Sequence, residues 1–233
     1  MRKEPYTIGN YVHVVKRGAR GLSITRTMRE KLRFLSLLYY LNDKQNREGW
    51  ERDLDSLNTP SFAWPKPWSS RVPLVKILAF CLMPNHFHLI LKEIVEGGIS
   101  DFIKKLSISM SMFHNNLHRE KGSIFQGAYR SRTILDDNYL RYVAAYVMVK
   151  NPLELLDGGI VAAKQNFDEM YARSIQYNFA SLKFYASDIS SVILDKDIYA
   201  EIFASPNDFK SCAKDMILGY ENLDEEIKAL FIE

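Results

Sequence analysis

Cysteine is scarce. Cys81 and Cys212 are the two in 233 residues, which excludes a disulfide framework and a zinc-ligand spacing. No apolar run is long enough to span a bilayer, and Met1-Arg2-Lys3-Glu4-Pro5 leads into no apolar signal segment. A cytoplasmic protein without membrane association is therefore expected. A dominant charge is lacking too: 31 Lys and Arg against 28 Asp and Glu leave a net +3. That excess is too mild to mark a nucleic-acid binder, so the placement of the cations must carry any such argument. There is no internal repeat and no low-complexity tract. What is present is a hydrophobic fraction of 47% with mixed charge, the composition of a globular chain, long enough for one full core plus an appendage.

The stretch Cys81-Leu82-Met83-Pro84-Asn85-His86-Phe87-His88-Leu89-Ile90-Leu91-Lys92 organises the rest. A turn at Met83-Pro84-Asn85 separates two apolar runs, predicting a hairpin. Successive strand side chains alternate faces, so His86 and His88 share one face and Phe87, Leu89 and Leu91 the other. Two neutral imidazoles at that spacing can hold one divalent metal. The plain alternative is one packed and one solvated histidine.

Taken in order, residues 11–15 read as a β-branched first strand, closed by Lys16-Arg17-Gly18. Residues 25–41 have helical period, with Met28, Leu32, Leu35 and Tyr39 as the expected buried stripe. Residues 42–71 lack period and carry three prolines and three tryptophans, an insertion loop whose aromatics either pin it to the body or stack on unpaired bases. Residues 75–82 read as a buried strand. Ser100 is expected to cap a second helix with Phe102, Leu106, Met110, Phe113 and Leu117 inward. Lys104, Lys105, His114 and His118 fall on its polar side; with no carboxylate in view to complete a site, the two histidines read as surface residues. Residues 128–134 alternate as a strand that puts Arg130 and Arg132 on one face, either solvated or contacting successive phosphates. Asp136-Asp137 caps a third helix that Pro152 should end. Its core stripe is Leu140, Val143 and Val147, with Tyr139, Tyr142 and Tyr146 on a second stripe. Beyond Pro152 the chain reads as short helices near 163–174, 195–203, 207–220 and 223–231.

The order strand, helix, strand, strand, helix, strand matches an α+β, ferredoxin-like antiparallel sheet with helices on one face, plus a helical C-terminal extension. A catalytic domain at 1–155, containing the insertion 42–71, and an extension at 156–233 are expected.

Three motifs in this order resemble a known family. Met83-Pro84-Asn85-His86-Phe87-His88-Leu89-Ile90 is similar to the HUH motif of single-tyrosine transposases. Phe125-Gln126-Gly127-Ala128-Tyr129-Arg130-Ser131 resembles the connection that follows it. The run from Tyr142 through Tyr146 to Asn151-Pro152 resembles the tyrosine helix with its Asn-Pro ending. The branch looks like the REP-associated tyrosine transposases and their insertion-sequence relatives, over roughly residues 5–155.

The resemblance implies cleavage and strand transfer of single-stranded DNA, often beside a hairpin. It makes Tyr146 the nucleophile, with Tyr142 in reserve, and leaves a 5′-phosphotyrosine. It makes His86, His88 and a further polar residue the ligands of Mg²⁺ or Mn²⁺, which polarises the scissile phosphate. Arg17, Lys104, Lys105, Gln126, Arg130, Arg132 and Lys150 become the expected DNA contacts, in a monomer or homodimer. One detail departs from the pattern: Tyr146 precedes Asn151 by five residues where relatives commonly have four. In a regular helix Lys150, not Asn151, then lies nearer the face of Tyr146. Asn151 is the expected third ligand if the helix breaks at Lys150. Lys150 can alternatively meet the phosphate or lower the tyrosine pKa. His13 on the first strand is a further possible ligand or an ordinary packed residue. Two other functions fit the same residues: a domesticated binder of hairpin DNA or RNA that does not cut, and a metal-dependent phosphodiesterase that uses water.

Overall fold

The structure, a computed structural model, describes residues 6–45, 49–56, 61–187, 189–196 and 198–219. Four strands, β1 (Tyr11–Arg17), β2 (Val75–Leu82), β3 (His86–Glu93) and β4 (Arg130–Ile134), form one antiparallel sheet in the order β2-β3-β1-β4. Helix α1 (Met28–Tyr40) and a short α2 (Trp50–Ser56) lie between β1 and β2, and α3 (Gly98–His118) links β3 to β4. β1 and β2 run parallel with β3 antiparallel between them, the split β-α-β arrangement of the ferredoxin-like fold.

The register decides which residues meet. Residues directly opposed in an antiparallel pair share a face. Arg17 faces His86, Val15 faces His88, and on the other side of β1 Val15 faces Arg130 and His13 faces Arg132. One sheet face therefore gathers His13, Val15, Arg17, His86, His88, Ile90, Arg130 and Arg132. The other carries Val12, Val14, Phe87, Leu89 and Leu91, and packs against α1 and α3. Phe87 sits there 5.5 Å from Phe34 and 5.9 Å from Phe125, ring centre to ring centre. A register shift between Ile77 and Ala79 lets β2 place both Leu78 and Ala79 on the histidine side.

Several expectations shift at this level. On α1, Met28 and Leu32 are exposed; of the expected stripe Tyr39 is buried, together with Phe34, Leu37, Leu38 and Tyr40. The helix carries apolar residues on two faces, and the one that meets the sheet wins. Thr27 caps α1 in a reciprocal box with Glu30. α3 starts at Gly98, where the Glu93 carboxylate accepts from the backbone N–H of Ile99, so Ser100 is inside the helix. Its inward stripe runs Phe102, Leu106, Met110 and then His114, which is buried; Leu117 is exposed. His114 is thus not a surface residue. The insertion is not wholly irregular, since it contains α2, and its aromatics pack: the Tyr40 ring lies 5.3 Å from Trp50 and 6.4 Å from Trp64. Asn42 fastens its ends, accepting from the N–H groups of Leu74 and Val75 and donating to the Val75 carbonyl.

The extension covers the histidine face. α4 (Asp137–Ala145), a π turn (Tyr146–Lys150) and α5 (Asn151–Glu154) are followed by α6 (Gly159–Gln165), α7 (Phe167–Ile175), α8 (Leu182–Ala186), α9 (Tyr199–Ile202) and α10 (Pro206–Gly219). Pro152 does not end the helix. It occupies the first turn of α5, where a missing N–H costs nothing. Leu78, Cys81 and Ile90 share one core with Val143, Val147, Leu153, Phe209 and Met216. The expected helix at 223–231 lies outside the described residues.

The same extension closes an edge. Leu82 N–H donates to the Phe179 carbonyl, Ser181 N–H to Phe80 and Asp195 N–H to Ile77, while the Tyr185 and Tyr177 hydroxyls donate to Leu78 and Leu82. Residues 177–187 and 189–195 thereby occupy the free side of β2, which would otherwise offer unpaired backbone to other chains. A chain ending at residue 156 should lose this cover and half of the second core. Its soluble fraction should collapse and its dye-accessible apolar surface rise, measured by centrifugation and 1-anilinonaphthalene-8-sulfonate (ANS) fluorescence. A soluble, ANS-silent truncation would contradict this account.

Candidate active site

Three sheet histidines and one tyrosine meet under α4 and α5. His13 and His88 stack with ring centres 5.2 Å apart and share a hydrogen bond, His13 Nε2 to His88 Nδ1, of 3.0 Å. His86 stands edge-on to His88 at 4.7 Å. The Tyr146 ring packs edge-on against both, 5.6 Å from His88 and 6.0 Å from His13. Tyr146 is only 1% exposed and shares a core with Val143 and Val147, so the separate stripe expected for it is corrected. Tyr142, one turn earlier, lines a different surface hollow with Arg141 and Asp208 and does not meet the histidines.

The π turn resolves the five-residue spacing. Asn151 N–H donates to the Tyr146 carbonyl, an i to i+5 bond that absorbs the extra residue. Pro152 gives the reason for the widening. It has no N–H to donate, and its ring would crowd the carbonyl of Met148 in a regular α-turn. Lys150 lies with its ammonium 4.8 Å from the centre of the Tyr146 ring and 2.7 Å from Glu154 Oε1. Its side chain is almost wholly buried, a position that such a charge tolerates only when paired.

Burial pushes the His88 pKa well below the ordinary histidine value, helped by the neighbouring His13, His86 and Lys150. His88 is therefore neutral at physiological pH, the form that binds metal. Its Nε2 is buried and has no partner among the described residues, as is Nδ2 of buried Asn151. The unpartnered Nε2 of neutral His88 fits a divalent cation, with His86 edge-on beside it on the same face; Asn151 would join through its Oδ1, since the unpartnered Nδ2 is a donor. For Nε2 of His88 to keep its lone pair, Nδ1 must carry the proton and donate to His13, which makes His13 the orienting partner. Cys81 faces His88 across the β2–β3 ladder, but burial, with the charge of Glu154 adding, raises its thiol pKa, so no thiolate competes.

The site opens at the His86 end. There Arg17, Gln126 and Arg130, with Val15 and Ala128, line a pocket of about 110 Å³. The 125–127 connection is fastened by Gln126 N–H to the Arg17 carbonyl and by Lys16 Nζ to the Gly127 carbonyl at 2.6 Å. Gly18 allows the adjoining turn to close, since a Cβ there would lie 2.1 Å from the Leu22 carbonyl oxygen. Arg132 is exposed on the same face. Lys104 and Lys105 are not brought here. They lie on α3 beyond the other sheet face, and Lys105 donates to the Asp43 carbonyl at 2.7 Å. Sequence reasoning missed Glu154, the partner of Lys150, whose i, i+4 spacing was a readable signal.

A family model described as "Transposase IS200 like" matches residues 72–150. Over that stretch the chain is similar to the IS200-like transposases, in line with its resemblance to the HUH single-tyrosine family. The matched residues run from just before β2 to Lys150 and so include His86, His88 and Tyr146. A solved structure described as the REP-associated tyrosine transposase bound to a REP hairpin covers 84% of this chain and 90% of its own, at 13% identity and a TM-score of 0.42. No curated protein sequence matches the chain. No described helix is long and apolar enough to cross a membrane.

If His13 orients His88, His13→Phe keeps the stacked ring and loses the acceptor. Mn²⁺ affinity should then fall by about 10–100-fold, read by calorimetric titration, with the circular dichroism spectrum unchanged. Undiminished affinity would reduce His13 to a packing residue.

Proposed function

We propose that this transposase-family chain cleaves and rejoins single-stranded DNA beside a hairpin through a covalent 5′-phosphotyrosine on Tyr146. The observation that carries the reading is the direct packing of the Tyr146 ring on His88 and His13, while Tyr142 faces another surface. Residues 1–155 supply the chemistry in this reading, and the described part of the extension, up to Gly219, holds the tyrosine helix on the sheet.

His86, His88 and Asn151 would hold Mg²⁺ or Mn²⁺, which supplies charge to polarise the scissile phosphate. The remaining work falls to side chains of this chain. Arg17, Gln126 and Arg130 receive the DNA backbone at the open end of the site, and Arg132 extends the track along the β4 edge. The Tyr146 oxygen attacks phosphorus while the bond from phosphorus to the 3′ oxygen breaks. The proton given up by the phenol is matched by the one the leaving 3′ oxygen takes. The Lys150 ammonium over the tyrosine ring favours the phenolate in which negative charge develops. Glu154 keeps that ammonium in place. The phosphodiester energy stays in the phosphotyrosine, so attack by a different 3′-hydroxyl restores a continuous strand without ATP.

The test is a labelled single-stranded oligonucleotide containing a hairpin, incubated with Mn²⁺ and run on a denaturing gel. Wild type and Tyr142→Phe should form a protein–DNA adduct, and Tyr146→Phe should not, at unchanged DNA affinity. Cleavage that survives Tyr146→Phe without any adduct would replace this mechanism by water-driven hydrolysis. Binding without cleavage by the wild type would make the chain a hairpin binder.

Salt titration tests the DNA track. The slope of log affinity against log salt should shrink by roughly 0.7 for each arginine replaced by glutamine at positions 17 and 130. Lys104→Gln should leave it unchanged. Equal effects at all three positions would disperse the interface over both sides of the sheet.

A further inference from the structure

A second cluster lies on the other side of the sheet, where α1 meets α3. Glu30 and His114 are buried there, and His118 is partly exposed. His114 Nδ1 is 2.6 Å from Glu30 Oε1, and His118 Nε2 is 3.2 Å from the same oxygen. One ligand atom from each of the three residues lies within 4.8 Å of the others.

We propose that Glu30, His114 and His118 form a divalent transition-metal site, suited to Zn²⁺, which clamps the start of α1 to the end of α3. The chemistry of the donor set comes first. His114 and His118 are i, i+4 on one helix and so present their rings side by side. Two imidazoles and one carboxylate are a three-ligand set that Zn²⁺ accepts, with a fourth position left for water. Partial exposure of His118 leaves room for that water.

The surroundings of the three residues point the same way. A ligating histidine ordinarily gives its other ring N–H to a carboxylate or carbonyl, and a ligating carboxylate is itself hydrogen-bonded. Both conditions hold here. Glu120 Oε2 lies 3.4 Å from His114 Nε2, the ring nitrogen not turned to Glu30. Arg26 in turn holds Glu120 through a 2.6 Å ion pair. The second oxygen of Glu30 accepts from the backbone N–H groups of Arg26 and Thr27 and from the Thr27 hydroxyl. Oε2 is therefore fully used for capping α1, and Oε1 is the atom left for a cation. Bonds of about 2.0–2.1 Å to a tetrahedral ion require donors roughly 3.3 Å apart. The His118 to Glu30 spacing already matches, and His114 needs to draw back by well under 1 Å. Without a metal, His114 Nδ1 and Glu30 Oε1 are within hydrogen-bond distance.

The site is separate from the one that uses His86 and His88, and its test separates them. Full-length protein stripped with chelator is titrated with Zn²⁺ by calorimetry, and its thermal midpoint is followed with and without the ion. Four chains are compared: wild type, His118→Gln, Glu30→Gln and, as a control for the other site, His86→Ala. Glu30→Gln keeps the side-chain length of the capping box, and His118 is exposed enough to replace without opening the core. Wild type and His86→Ala should show this binding event and a raised midpoint with Zn²⁺. His118→Gln and Glu30→Gln should lose the event, by at least about 100-fold in affinity, together with the thermal gain. His118→Gln should still form the DNA adduct with Mn²⁺, since it touches neither the tyrosine nor the arginine track. Equal Zn²⁺ stoichiometry and an equal thermal gain in wild type and both variants would overturn the proposal. So would a wild-type gain that disappears in His86→Ala. Either result would leave the trio as a metal-free, hydrogen-bonded cluster.

Discussion

The meeting of the sheet histidines, Tyr146 and the arginines depends on the register of β3. Its side chains alternate between two cores, with Phe87, Leu89 and Leu91 against α1 and α3, and His86, His88 and Ile90 under the extension. A slip of one residue would exchange the two sets. It would drive imidazoles into an all-apolar core and turn Phe87 toward the arginines. β3 is protected from such a slip because it is paired on both sides, with β2 and with β1. The edges of the sheet are treated differently. β2 is covered by residues 177–187 and 189–195, whereas among the described residues no strand pairs with the outer edge of β4, which carries exposed Arg130 and Arg132. The open edge is the one that the DNA reading requires.

Burying the histidine face creates an electrostatic problem, and the arrangement at Tyr146 is its solution. An unpaired buried ammonium costs several kcal/mol. Lys150 avoids that cost by pairing with Glu154 at the rim and lying over the Tyr146 ring. Its charge and the burial together hold His88 neutral. The π turn is part of the same solution. A regular helix would put Lys150 beside Tyr146 and rotate Asn151 away. The wider turn keeps the Lys150 contact and bonds Asn151 directly to the Tyr146 carbonyl. Local helical cost is thus accepted where three side chains must face one strand, as π bulges often do at functional sites.

Much of this was legible in the sequence because strand periodicity is strict. The span of β2, the pairing of His86 with His88 and the shared face of Arg130 and Arg132 follow from alternation alone. Helix faces were less legible. On α1, Leu32 and Leu35 compete with Phe34 and Leu38, and the choice belongs to the sheet. On α3, apolar Phe113 and Leu117 obscured the fact that the inward position after Met110 is His114. The π turn could not be read from a fixed angle per residue, although the proline that causes it was visible. The role of the extension was hidden because backbone pairing to β2 leaves no motif. The carboxylate that completes the second histidine cluster was missed for a simpler reason. It lies 84 residues upstream of His114, on a helix whose capping box already accounted for a glutamate there.

All five histidines of the chain therefore fall into two clusters, separated by the sheet. Chance placement of so few residues would scatter them over the surface, where a histidine costs least. All five are instead packed against another imidazole, three of them buried, and His118 also leans on Glu30. The two clusters differ in their donors in a way that separates their cations. In the proposed reading the first site, with neutral His88 and the amide of Asn151, brings no carboxylate and sits next to an ammonium, so a DNA phosphate would supply its negative charge. Glu30, His114 and His118 bring their own anion and a second carboxylate behind it. On that reading the first site would be completed only by its substrate, which would suit catalysis. The second is complete within the chain, which suits a structural clamp between the two helices that support the first.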